Sequence, residues 1–259
     1  MSKKPTWVVE KERARRTEAN TTVWLFGLHA VRDALMNPAR DRQRLIVTKN
    51  AADKLAEAIA ASGMEPEIAD PRKFPAPLDP NSVHQGAALE VKPLDWGNLD
   101  DIVLAQGEGA PVVVLLDRVT DPHNVGAILR SAEVFGAQAV IAPYRHSAPE
   151  SGALAKTASG ALERQPYVQV RNLANTMEHL KSLGFTLLGM DGEATLSLRD
   201  GLSLAPGAIG IVLGAEGPGL RERTKDTCDH LVRIDAARGF GSLNVSNAAA
   251  VTLYAVSNR

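Results

Sequence analysis

The chain has 259 residues, with 29 Lys and Arg against 30 Asp and Glu, so its formal net charge is −1. At 44% apolar and 23% charged residues it has an ordinary globular composition, which excludes wholesale disorder and collagen-like or low-complexity chains. Its one cysteine, Cys228, excludes a disulfide framework and a Cys-rich zinc site, and no apolar run reaches the ~18 residues of a membrane span.

Residues 1–21 read as a flexible basic tail. Lys3, Lys4, Lys11, Arg13, Arg15 and Arg16 outweigh Glu10, Glu12 and Glu18, and no apolar periodicity accompanies them. The segment lacks the apolar core of a secretory signal and is too acidic for a mitochondrial presequence, which predicts a cytoplasmic protein. Either it is a solvated end or it is an arm that touches RNA phosphates.

Residues 22–92 predict a small α/β domain. VWLFG reads as a short strand or turn, and LHAVRDAL, with Leu28, Val31 and Leu35 on one face, as a helix. RLIVTK is a strand, AADKLAEAIAASG a helix stopped by Gly63, and MEPEIAD an extended segment. The proline-rich stretch from Pro71 to Gly86 is a loop, and GAALEV closes the domain as a strand. Residues 93–110, rich in Asp and Gly, are expected to form a linker.

From 111 to 259 strands alternate with helices. PVVVLLD, FTLLGMD and AIGIVLG are continuous apolar runs, the pattern of parallel strands covered on both faces. AVIAP and HLVRID are further strands. Helices are predicted over 125–135, over NLANTMEHLKSLG with Asn172 or Asn175 near its start, and over NVSNAAAVTLYAVSNR at the C-terminus. The expected class is a doubly wound α/β domain.

Three segments carry candidate chemistry. The first, Asp117 to Arg130 (DRVTDPHNVGAILR), follows a buried strand and opens a helix, the place where open parallel sheets bind ligands. Asn124 is expected as the helix cap. Ile128, Ala132 and Phe135 share one helical face, while Gly126, Arg130 and Glu133 share another. A plain alternative is a capped helix whose surface Arg130 pairs with Glu133. The second segment, IVLGAEGPGL, ends a buried strand in a glycine-rich turn carrying Glu216. It is either a tight turn or a close approach of backbone to ligand. The third, GFGSLNVSN, precedes an Ala-rich helix. Ser242, Asn244 and Ser246 are more polar groups than one cap needs.

Other chemistries find no support. GFGSLN lacks the last glycine of a dinucleotide fingerprint, and neither a P-loop nor a G-x-S-x-G elbow occurs. The six histidines show no metal-ligand spacing, so no metal is expected.

In this order and spacing, DPHNVGAILRSAEVFGA, IVLGAEGPGL and SLNVSNAAAVTLY resemble the three motifs of the SpoU (TrmH) family of S-adenosylmethionine-dependent RNA 2′-O-ribose methyltransferases. VWLFGLHAVRDAL and VHQGAALEV, with RHSAP, ASGAL and NLA further on, resemble the branch that carries a small RNA-binding module of ribosomal-protein type ahead of the catalytic domain. The resemblance spans about 22–259. It implies a trefoil-knotted α/β (SPOUT) domain at 111–259, an RNA substrate-binding domain before it, and a homodimer. It implies that S-adenosylmethionine is held at Gly214, Ile234 and Leu243. The catalytic set it implies is Arg130, Asn124, Glu216, Ser242 and Asn244, with Arg130 acting near the partner subunit's cofactor. The implied substrate is a guanosine in the P loop of 23S rRNA. A tRNA ribose methyltransferase of the same fold and a non-catalytic RNA-binding protein are the alternatives. One departure stands out: where the family has Ile-Pro-Met and then Gly, this chain has Ile234-Asp235-Ala236-Ala237-Arg238-Gly239.

Overall fold

Apolar runs separated by polar turns define most of the elements, and the computed structural model describes them over residues 22–104, 109–236 and 243–259. The basic tail at 1–21, the altered loop from Ala237 to Gly239, and Ser242 lie outside the described residues. The chain divides into two compact units. The first runs to Asp95 and takes in Glu150–Lys156, and the second comprises Trp96–Pro149 and Thr157–Arg259.

The first unit holds β1 (Val23–Phe26), α1 (Leu28–Met36), β2 (Arg42–Val47), α2 (Lys49–Lys54), α3 (Ala56–Ser62), β3 (Glu67–Ile68) and β4 (Ala87–Val91). Its sheet runs β1-β4-β2-β3, with β4 antiparallel to both β1 and β2 and β3 parallel to β2. The helix expected over 51–62 is two helices, broken at Leu55, where φ −103° and ψ 6° leave the helical region. Thr48 opens α2 by accepting a hydrogen bond from the Ala51 N–H, and Gly63 closes α3 at φ 68°, a left-handed position that glycine takes without a Cβ penalty. Arg40 is buried, its guanidinium donating to the Lys92 carbonyl and to the Glu150 carboxylate. Segment 150–156 seats here because Gly152 has no side chain: a Cβ there would lie 2.3 Å from the Phe26 ring.

The second unit opens earlier than expected. Inside the stretch read as a linker, α4 (Leu99–Val103) is capped by Asn98 and buries Val103 in the core of this unit, with Leu99 and Ile102 packed beside it. Five residues carry too short a periodic signal to register in sequence. The order continues β5 (Val112–Asp117), α5 (Pro122–Val134), β6 (Ala139–Pro143), α6 (Gly152–Ala158, which begins in the first unit), β7 (Tyr167–Val170), α7 (Leu173–Ser182) and β8 (Thr186–Met190). It ends β9 (Leu196–Ser197), α8 (Leu198–Ser203), β10 (Ile209–Gly214), α9 (Glu222–Thr227), β11 (His230–Arg233) and α10 (Val245–Ser257).

The seven strands run β7-β6-β5-β10-β8-β11-β9, all parallel. Alternate residues of the central strands face opposite sides. Val113, Leu115, Ile141, Leu187 and Val212 form one core with Met177 and Leu180 of α7. On the other side α5 and α10 pack together and against β6 and β10. Burial on both faces explains the unbroken apolar runs. From β5 the chain moves on to β6 on one side, while from β10 it moves to β11 on the other. The carboxyl ends of the neighbouring strands β5 and β10 are therefore a topological switch point, the crevice where such sheets bind ligands.

Candidate active site

Strand register brings the first two motifs together. Gly214, the last residue of β10, pairs with Asp117, the last of β5. Beyond Gly214 the chain doubles back, with Ala215 bridging Gly219. A Cβ on Gly214 would lie 2.2 Å from the Gly219 carbonyl carbon and 2.4 Å from the Leu220 nitrogen. Only glycine lets the turn close there.

Asp117 is 1% exposed, and it locks that turn from below. Its carboxylate accepts the Arg221 backbone N–H at 3.0 Å and two guanidinium contacts from Arg221 at 2.7 Å. This pair ties the end of β5 to the start of α9. Sequence reading missed it; the one available signal was a carboxylate ending a wholly apolar strand, and nothing pointed to Arg221.

The cap of α5 is Asp121, not Asn124. The Asp121 side chain accepts from the His123 N–H, and Pro122 takes the first helical position. Proline lacks an N–H and has φ preset for that position, so it draws the cap to the residue before it. Asn124, in the first turn, is left free for another task. Its amide donates to the Glu216 carboxylate at 3.4 Å, and its Oδ1 accepts from Asn244 Nδ2 at 2.9 Å. Asn244 Nδ2 also donates to Glu216 Oε1. Asn244 is the cap of α10, its Oδ1 accepting from the Ser246 N–H at 2.8 Å and hydroxyl at 2.5 Å. That duty fixes the amide orientation: oxygen toward the helix, nitrogen toward Glu216 and Asn124. Three residues from three distant segments thus meet in one hydrogen-bonded cluster.

Arg130 does not join it. It lies on the exposed face of α5 and has no ion-pair partner among the described residues. Glu133, the partner expected in the plain reading, is held by Arg164. Of the apolar trio, Gly214 closes the turn described above. Leu243 is half-exposed directly before the Asn244 cap. Ile234 lines a cleft of about 490 Å³ with apolar Leu198, Leu202 and Ala255. Polar Arg199, Asp235, Asn258 and Arg259 share that lining, so the cleft offers apolar surface for an adenine face and polar groups for its edges. Among the described residues no cluster of His, Cys, Asp and Glu could hold a metal ion.

A parallel α/β domain with polar residues gathered at its switch point, preceded in the chain by a small mixed domain, is the layout of a ligand-binding α/β enzyme. Residues 111–254 match the SpoU rRNA methylase family, and residues 24–96 match the RNA 2′-O ribose methyltransferase substrate-binding domain. The chain belongs to the SpoU rRNA methylase family.

Among its relatives is the 23S rRNA (guanosine-2′-O-)-methyltransferase RlmB of Vibrio cholerae, 40% identical over 237 residues, covering 89% of this chain and 94% of that protein. The Escherichia coli K12 protein of the same name is 37% identical over 238 residues, covering 89% and 96%. In fold, the chain is similar to the SpoU methyltransferase AviRb of Streptomyces viridochromogenes in complex with AdoMet, with a TM-score of 0.77 at 24% identity over 95% of this chain and 92% of that one. It is also similar to an AdoMet-bound rRNA methyltransferase of Sinorhizobium meliloti, with a TM-score of 0.75 at 21% identity over 95% and 90%. No described helix is long and apolar enough to cross a membrane.

Proposed function

We propose that this chain transfers a methyl group to the ribose 2′-oxygen of a guanosine in 23S rRNA. The observation that carries this reading is the Asn124–Glu216–Asn244 cluster beside the Gly214 turn. One polar residue from each of the three motifs, Asn124, Glu216 and Asn244, joins this cluster. The relatives named for that reaction match nearly the whole chain.

S-adenosylmethionine, when bound, supplies an activated methyl on a sulfonium. Gly214, Ile234 and Leu243 hold it. The remaining work belongs to the chain's own residues, because a 2′-hydroxyl is a weak acid and a weak nucleophile. Holding it in line with the methyl removes much of the barrier. Asn124, Glu216 and Asn244 brace the loops that orient the ribose, and Ser242 acts with them. A guanidinium offers hydrogen-bond donors and no acceptor, so Arg130 is suited to oxygen atoms of the RNA. It grips the adjacent phosphate and stabilises negative charge developing on the 2′-oxygen. The proton leaves to water or to an RNA phosphate.

The chain acts as a homodimer in this reading. Val134 on α5 and Val251 and Tyr254 on α10 are 70%, 43% and 59% exposed, and Tyr254 meets Phe135 edge-on at 6.0 Å between ring centroids. They form an apolar face that a second copy covers. Arg130 sits one helical turn from Val134, so closing this face carries Arg130 to the partner subunit's cofactor. The C-terminal segment follows the trefoil-knotted path implied by the family resemblance, residues 22–92 add RNA contacts, and the reaction takes place in the cytoplasm, where ribosomal RNA resides.

The test is a map of 2′-O-methylation across total RNA from a strain lacking this gene, beside its parent. Loss of one 23S rRNA guanosine mark is expected. Loss of a tRNA mark instead would keep the chemistry and overturn the substrate. No change in any RNA would overturn the reading.

A further inference from the structure

On the second unit the carboxyl ends of β5, β6 and β7 surround a pocket of about 230 Å³ whose lining includes none of Asn124, Glu216 and Asn244. Arg118, Arg145, His146, Arg171, Arg221 and Arg223 line it, with no carboxylate among the lining residues. Five arginines converging on one depression is a costly arrangement unless something neutralises them. Asp117 does so for Arg221 alone. Arg118, Arg145, Arg171 and Arg223 are exposed and have no ion-pair partner among the described residues.

Two further features add to the field. The first two residues of the ten-residue helix α7, Leu173 and Ala174, line the pocket, so the positive end of that helix faces it. Arg118 and His146 sit at φ 62° and 65°, a left-handed backbone that costs a non-glycine residue of order 1 kcal/mol or more.

We infer that this pocket binds a phosphodiester of the substrate RNA, clamping the backbone at a distance from the methylated ribose. This rests on the proposed function above. Guanidinium forks match phosphate oxygens in pairs. The Asp117–Arg221 pair joins this pocket to the Gly214 turn, so a phosphate held here registers the RNA strand against the site. No pocket residue belongs to the set that reacts.

The experiment uses the full-length protein and an in vitro transcript of the 23S rRNA hairpin that contains the P loop. Affinity is read by fluorescence anisotropy from 50 to 300 mM KCl, and methyl transfer is read in parallel. Each phosphate contact to single-stranded RNA contributes about 0.7 to the slope of log Kd against log salt, or roughly fivefold in affinity at 0.1 M. Arg145→Gln and Arg171→Gln should each lower the slope by about that amount and raise KM for RNA about fivefold, with kcat and S-adenosylmethionine affinity unchanged. Arg171→Lys should keep the slope, since the charge remains.

A wild type that methylates the transcript, with both variants matching its slope and KM, would overturn the inference and leave the function standing. A wild type that neither binds nor methylates the transcript would overturn the function and the inference with it. Inorganic phosphate provides the third arm. If the variants lose phosphate binding but keep the wild-type RNA slope, the occupant is a free anion and the RNA assignment is wrong.

Discussion

Changing Asn244 to Asp replaces one NH2 group by an oxygen and separates the residue's two duties. As a cap, Asn244 uses only Oδ1, which accepts from the Ser246 N–H at 2.8 Å. Asp caps as well as Asn, and a negative charge at the start of the 13-residue helix α10 adds ~0.3–1 kcal/mol of favourable dipole interaction. If capping were its whole role, N244D would be neutral or stabilising. The other duty reverses the sign. Nδ2 donates to Asn124 Oδ1 at 2.9 Å and to Glu216, and the variant loses both bonds, at ~0.5–1.5 kcal/mol each. It also sets two carboxylates within hydrogen-bonding distance, which at 4 Å repel by ~1 kcal/mol in water and more near a protein surface. The residues are exposed, so salt trims this last part.

The net expectation is a destabilisation of about 2 kcal/mol, measured by urea unfolding with an unchanged m-value. Methyl transfer should fall at least about 30-fold, the kinetic equivalent of the same energy. The double variant E216Q/N244D exchanges donor and acceptor across the contact and should recover most of the lost stability. A stabilised N244D, or a double variant no better than the single one, would refute the cluster as an orienting device.

Three other expectations come from neighbouring features. Asp117→Asn leaves Arg221 without its buried counter-charge; because the Arg221 side chain is half-exposed, the loss should be about 2–3 kcal/mol, below the full value for a buried pair, and a change under ~0.5 kcal/mol in chemical unfolding would be inconsistent with Asp117 as the clasp of the turn. Gly214→Ala forces a Cβ into the Gly219–Leu220 backbone, so calorimetric titration should show S-adenosylmethionine affinity reduced tenfold or more, with ~1–3 kcal/mol of overpacking strain; wild-type affinity would mean that the turn moves freely. Burial, with Asp229 beside it, pushes the Cys228 thiol up to about 12 from an ordinary 9.0. The unfolded thiol ionises first, so this contribution is intact below pH 9 and falls by ~1.4 kcal/mol per pH unit between 9 and 12; Cys228→Ala should lose that excess slope in urea unfolding from pH 8 to 10.5, and parallel slopes would discount it.

The legible parts of this fold share a cause. Strands β5, β8 and β10 are apolar throughout their interiors because both their faces are covered, and a continuous apolar run can be seen without any knowledge of neighbours. Gly63 ending α3 and Asn172 capping α7 are local events, set by one residue's own backbone and side chain. The three motifs were legible for the same reason, since each is contiguous. Short elements such as α4 and β9 were not, because five or two residues gain their order from burial against distant partners. The position of the α5 cap turned on one competition, in which Pro122 at the first helical position outweighs the capping preference of Asn124.

By itself the sequence determined the chain's class and its two-part layout, and it singled out Asn124, Glu216, Asn244 and Arg130 as candidates for the chemistry. Their relation was decided by the tertiary structure. Asn124 and Asn244 are 120 positions apart, and Asp117 and Arg221 are 104 apart. No local pattern can announce such pairs. They meet because β10 inserts beside β5 in parallel register and brings two strand ends, two turns and two helix starts to one edge. The arginine pocket arises in the same way, from residues after β5, β6, β7 and β10 whose charges cancel in the composition but not in space. A net charge is a sum over the chain, whereas a binding site depends on position, and position is settled only when the sheet closes.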